Sequence, residues 1–320
     1  MPTPTTPSGP RRRALLAAWG ATSLGLVGCA ATATAPPQAL WLRAPAARLP
    51  GTHQFDLRDP ASGHTWRIWV QQPAGPAPAT GHPVLYLLDG NAAFALAAQL
   101  ARNSAGRPGD MGMDSAIVVG IGHPGDAVIH PAERQRDYTP PTPGRAATPE
   151  AGGADILLDF IARELQPRVA QVFATDPERQ TLSGHSFGGL LVLHALFTRP
   201  AQFTRYAATS PSVWWNGAQL LQTAHQFTQA HATAPRPFKA RLQLRVGSLE
   251  QAQAAPTAAR AAVQAERRMI EHTQALADQL RALQWPELRV DMAMLPGLDH
   301  GGAMAPGLID ALALAQQPRW

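Results

Sequence analysis

The run Ser183-Gly184-His185-Ser186-Phe187-Gly188-Gly189 constrains this chain more than any other feature. It lies between an apolar stretch that reads as a strand, residues 179–183, and another that reads as a helix to about Arg199. In that context G-x-S-x-G makes a tight, strained strand-to-helix turn. Glycines two positions either side of Ser186 let strand and helix close together and lift the hydroxyl above the sheet edge. The Phe187 N–H, at the helix start, then points where negative charge would develop on an attacked carbonyl oxygen, with the helix dipole behind it.

The rest of the chain supplies a frame for such a turn. Residues 66–70 alternate like an early strand, and residues 84–88 are continuously apolar up to Asp89-Gly90, as in a strand buried on both faces. Residues 116–121 repeat that pattern and end at Gly122. Residues 123–152, rich in proline and glycine, read as one long ordered loop. Residues 154–173 and 257–283 have helical spacing, the second after Pro256, and residues 206–209, 242–246 and 288–295 read as further strands. Strands alternating with helices imply an α/β fold around a mostly parallel sheet with helices on both faces.

Composition narrows the function classes. With 320 residues, 45% of them hydrophobic, the chain is long enough to bury a full core and is no disordered polypeptide. A net charge of +5 and an isoelectric point near 10.3 suggest a polyanion partner at first sight. The pI misleads, because one lysine, three tyrosines and one cysteine leave little to titrate below the range of arginine. No basic run follows Arg13, so nucleic-acid binding is disfavoured.

That basic start belongs to an address. Arg11-Arg12-Arg13, a short apolar stretch and Leu26-Val27-Gly28-Cys29 have the parts of an export signal, with a twin-arginine flavour and a lipobox ending. The expectation is an exported, periplasmic or membrane-anchored lipoprotein, with Cys29 as the lipid attachment point and no other membrane contact. Residues 1–29 are then the signal, 30–50 an Ala/Pro-rich tether and 51–320 the folded domain. Removing residues 1–28 takes away three arginines and no acid, which leaves 24 basic against 22 acidic residues.

A serine nucleophile needs a base. His300 follows the last strand, among glycines and outside any apolar helix, where an α/β-hydrolase carries its histidine after nucleophile and acid. His123 rivals it but precedes the serine. His185 reads as a support behind the site or as packing within the turn, His194 as core and His272 as solvated. For the acid, Glu250 lies just after the strand 242–246, in position to orient the histidine. The plain alternatives are a surface or capping acid and a Ser–His pair working alone. Asp299 reads as shaping the loop.

With these residues placed, the chain resembles the esterase D-like family of α/β-hydrolases, in its bacterial siderophore-esterase branch. The resemblance spans residues 53–310. It rests on Val84-Leu85-Tyr86-Leu87-Leu88-Asp89-Gly90-Asn91, Val119-Gly120-Ile121-Gly122, Arg134-Gln135-Arg136-Asp137-Tyr138-Thr139-Pro140-Pro141, the serine turn, Ser210-Pro211-Ser212-Val213-Trp214-Trp215-Asn216, Val246-Gly247-Ser248-Leu249-Glu250 and Asp299-His300-Gly301. It implies an α/β-hydrolase fold and ester cleavage through an acyl-enzyme, catecholate-siderophore trilactones being one substrate class. It implies a second oxyanion donor from the loop at Asp89-Gly90, Arg134 or Arg136 on the substrate side, and Trp214-Trp215 as an aromatic wall. An Arg136–Asp137 ion pair and core tryptophans are the alternatives. Gly301-Gly302 departs from the family pattern, which expects a small residue followed by an apolar one. No metal or organic cofactor is implied. An acyltransferase of the same fold and a non-catalytic binding lipoprotein are the other functional readings.

Overall fold

A computed structural model describes residues 44–73, 75–105, 114–142, 144, 148–233 and 238–320. The export signal with Cys29, and the tether up to residue 43, lie outside the described residues. All the elements below belong to the unit Arg48–Trp320.

Eight strands form one sheet: β1 Thr52–Arg58, β2 Thr65–Gln71, β3 His82–Leu88, β4 Ile117–Gly122, β5 Thr175–His185, β6 Arg205–Thr209, β7 Ala240–Gly247 and β8 Leu288–Leu295. Their order is β1-β2-β4-β3-β5-β6-β7-β8. β1 and β2 pair antiparallel, as do β2 and β4, and every other neighbouring pair is parallel. The strand period of two splits the core. Val84, Tyr86 and Leu88 face one apolar cluster, while Leu85 and Leu87 face another. Helices α1 Gly90–Ala105 and α9 Met304–Gln316 cover the second face through Phe94, Ala97, Leu308 and Leu312. The first face takes α3 Ala154–Phe160, α4 Gln166–Val172, α5 Phe187–Thr198 and α8 Met269–Ala282. A π-helical turn, Ile161–Leu165, joins α3 to α4.

The remaining helices are α2 Pro131–Tyr138, α6 Trp215–Thr233 and α7 Ala258–Arg267. Two of the helices correct the sequence reading. The expected loop 123–152 contains α2, started by Pro131 with its preset φ; only Asp137 and Tyr138 are buried, so no apolar period marks it. The expected continuous helix 257–283 breaks at Arg268, which is left-handed at φ 48°. The break follows from two demands on one segment. α8 buries Met269, Leu276, Ala277 and Leu280 in the core, whereas α7 buries only Gln264. Four elements go beyond the sequence reading: β1, α1, α6 and α9.

The topology brings the C-terminal ends of β3, β5, β6, β7 and β8 to one edge. Leu87 pairs with Ser183, His185 with Thr209, Thr209 with Arg245 and Gly247 with Leu295. That edge is where an open α/β sheet gathers functional loops.

Candidate active site

Ser186 stands between β5 and α5 at φ 61°, ψ −117°, a conformation costly for a side-chain-bearing residue and held by its surroundings. Its N–H donates to the Thr209 carbonyl at 3.0 Å, and its carbonyl accepts from the Ser212 N–H at 3.1 Å. A Cβ on Gly184 would collide with the Gly188 backbone, so that glycine is obligatory. Gly188 itself has room for a Cβ at 3.5 Å; the other tight position is Gly189, 3.0 Å from Pro211 Cα. The crowding therefore lies at Gly184 and Gly189 and spares Gly188.

Three residues far apart in sequence meet here. His300 Nε2 is 3.0 Å from Ser186 Oγ, and His300 Nδ1 is 2.6 Å from Glu250 Oε2. Glu250 is buried at 1% exposure. Burial pushes its carboxyl up, but the bonds from His300, Ser210 and the Gly247 N–H outweigh this and hold it below the usual range. An ionised Glu250 can only accept, so Nδ1 carries the imidazole proton and Nε2 offers a lone pair to Ser186. The arrangement can take the hydroxyl proton of Ser186 and stabilise the imidazolium that results.

The acid has its own supports. Glu250 Oε1 accepts from Ser210 Oγ at 2.5 Å and from the Gly247 N–H at 2.8 Å. A Cβ on Gly247 would collide with the carbonyl of Leu298, so glycine lets the histidine loop pass close over β7. His185 Nε2 lies 2.7 Å from the His300 carbonyl oxygen. Burial and the neighbouring His300 push His185 down to about 4, which keeps it neutral, and it must donate from Nε2 because a carbonyl only accepts. Asp299 Oδ1 accepts from the Gly302 N–H at 2.8 Å and shapes the loop. Ser210 and Ser212, whose Oγ is 3.3 Å from Ser186 Oγ, have no role in the sequence reading. No local pattern announces a serine that serves a glutamate forty residues on.

The oxyanion and substrate expectations meet a different geometry. The Asp89 N–H donates to the Tyr138 hydroxyl at 3.1 Å, so Asp89 is corrected as an oxyanion donor. Its carboxylate accepts from Arg134 at 2.6 and 3.0 Å, with Asp89 itself at φ 56°. Gly90 begins α1, where a Cβ would lie 2.7 Å from the Trp69 ring. Phe187 begins α5. Arg136 donates to Asp137 at 2.6 and 2.9 Å. Both arginines donate to carboxylates, Arg136 in the ion pair with Asp137 that is the alternative reading, and Arg134 Nη2 also lies 3.4 Å from the His185 carbonyl oxygen. Trp214 and Trp215 are half-buried, their rings 6.1 and 5.0 Å from that of Phe187, and Trp215 packs on the core. Asn216, Gly217 and Ala218 then turn left-handed in succession.

The rival bases are spent elsewhere. His123 is buried with Nε2 3.0 Å from Asp137 Oδ2, and His194 is buried with Nε2 3.0 Å from Asp155 Oδ1. His272 is half-buried, which corrects its reading as solvated.

Comparison with known proteins gives the family and the fold. Residues 60–281 match the Esterase family, described as "Putative esterase". The ferri-bacillibactin esterase BesA of Bacillus subtilis (strain 168) is 31% identical over 278 residues, 84% of this chain and 91% of its own length. The chain belongs to the esterase family of α/β-hydrolases, in its siderophore-esterase branch. Solved structures carry the same fold. The siderophore hydrolase EstB from Aspergillus nidulans superposes with a TM-score of 0.75 at 32% identity, covering 85% of this chain and 98% of its own. For the BES protein from Bacillus cereus the TM-score is 0.74 at 28% identity, covering 86% and 98%.

Proposed function

We propose that this esterase hydrolyses siderophore esters by nucleophilic catalysis. The observation that carries the reading is the unbroken relay Ser186–His300–Glu250 at the sheet edge. Ser186 Oγ attacks the ester carbonyl as its proton passes to His300 Nε2, and a C–O bond forms. Negative charge on the carbonyl oxygen falls to the N–H groups at two helix starts, Phe187 of α5 and Gly90 of α1. His300 returns the proton to the leaving alcohol as the tetrahedral centre collapses. Water then repeats the sequence on the acyl-enzyme and frees Ser186. The names of the relatives, esterases and hydrolases of siderophores, support the substrate class. The N-terminal 29 residues support an exported, lipid-anchored location through Cys29.

Ser186→Ala tests the mechanism. It should fold as the parent does and lose at least about a thousandfold in kcat on a p-nitrophenyl ester. Near-parental turnover would remove Ser186 as nucleophile. A panel of siderophores against simple alkyl esters tests the substrate: kcat/KM should favour siderophore esters, and equal values would overturn that part of the reading.

A further inference from the structure

The helix α7 stands over the acid–base side of the site and turns an unusual face to it. Arg260, Val263, Gln264 and Arg267 lie three, four and seven residues apart, which puts them on one face of the helix. Together with Glu250 and His300 they line a narrow crevice of about 10 Å³, room for a single water, so their side chains stand close to the base. Gln264 Nε2 fixes the helix there by donating to the Leu249 carbonyl at 3.1 Å. Directly after Arg267 the backbone turns left-handed at Arg268, so the helix stops where it reaches the aromatic wall. The Arg267 guanidinium stacks over Trp214 at 4.4 Å from the ring centroid.

Two arginines on such a face ordinarily pair with carboxylates, as Arg134 and Arg136 do. Among the described residues, neither Arg260 nor Arg267 is in a salt bridge; Arg267 stacks on the Trp214 face and feels the adjacent Glu266 only at a distance. Glu250 shares the crevice, but its oxygens are taken by His300, Ser210 and the Gly247 N–H. Burial and the nearby Arg260 lower the Arg267 pKa, with Glu266 opposing, as expected of a cation short of counter-charge.

We propose that Arg267, seconded by Arg260, is a specificity determinant that binds an anionic group on the alcohol portion of the ester. The inference rests on the serine-esterase reading above. His300 must reach the leaving oxygen to protonate it, so the alcohol lies on the His300 side, beside the Trp214 face that carries Arg267 and outside the crevice too small to admit it. A guanidinium already oriented on an indole meets a carboxylate or phenolate with little further ordering.

Two phenyl acetates test this: 4-acetoxybenzoate, with a carboxylate on the leaving phenol, and its methyl ester, which lacks the charge. Comparing the ratio of their kcat/KM values between variants cancels their intrinsic reactivities. In Arg267→Gln that ratio should fall roughly ten- to a hundredfold, as for a lost hydrogen bond to a charged partner. Arg260→Gln should lower it less, and Arg267→Lys should recover part of it. Added salt should erode the preference of the parent enzyme. A ratio unmoved by Arg267→Gln overturns the inference. Failure of the parent to hydrolyse either ester in a Ser186-dependent way would instead strike at the esterase mechanism.

Discussion

Two histidine–carboxylate pairs sit beyond strand ends on opposite sides of Ser186, and they differ in what surrounds them. His300 and Glu250 meet at 2.6 Å, His123 and Asp137 at 3.0 Å. In both, the carboxylate is buried at 1% and held below its usual pKa against the pull of burial. The His300 side chain, however, is 25% exposed and its second nitrogen faces Ser186. The His123 side chain is 3% exposed, with the rings of His130 and Tyr138 alongside. Asp137 also takes the Trp66 indole N–H at 2.8 Å and two bonds from Arg136. One pair is an open relay, the other a sealed brace. A carboxylate that orients an imidazole becomes chemistry only where the free nitrogen has a reacting partner and solvent access.

Substitutions at the two acids should therefore separate activity from stability. Glu250→Gln should cost the largest factor, about a hundred- to ten-thousandfold in kcat, because a neutral amide no longer fixes the Nδ1–H tautomer or balances the imidazolium. Full activity in that variant would show a Ser–His pair working alone. Asp137→Asn should instead lower stability by about 3–5 kcal/mol in a thermal or denaturant melt, because it uncouples a buried network. A loss of kcat in the folded fraction matching that of Glu250→Gln would break the distinction. A third pair, His194–Asp155, calibrates the series, since the Asp155 side chain is 40% exposed.

Burial raises the Asp155 carboxyl, but bonds from His194 and Arg199 prevail and bring it from 3.8 to about 2. The folded state binds fewer protons than the unfolded one across that interval. The contribution is complete above the unfolded value and is lost as pH falls through about 2. Solvent screening keeps it small, so Asp155→Asn should cost less than about 1 kcal/mol at pH 7. The difference from the parent should close between pH 3.8 and about 2, and a gap that persists below that interval would contradict the assignment.

The legible parts of the fold were those with a strong local period. β8 has the bounds that the apolar pattern implies, and β3, β4 and β7 lie within two residues of theirs. The helix α2 was invisible because ion pairs hold it where an apolar face would normally do so. The break at Arg268 was invisible because α7 and α8 share one helix-forming composition and differ only in what lies beneath them. Within the site, Ser186, His300 and Glu250 could be named from a motif and from chain order. The commitments of Asp89, Arg134 and Arg136 could not, since a basic side chain reads the same in sequence whether or not a carboxylate awaits it.

By itself the sequence determined the serine turn, the alternation of strands and helices, and the candidate base and acid. The turn and the alternation rest on short-range sterics and periodicity that a few neighbouring residues dictate, and the base and acid on their order along the chain after the nucleophile. Tertiary structure alone decided which arginines stay unpaired, which histidine keeps a free nitrogen, and that Ser210 and Gly247 hold Glu250. Those outcomes depend on distances between residues tens to hundreds of positions apart. An ionisable group takes its role from the partners and solvent that the completed fold leaves it.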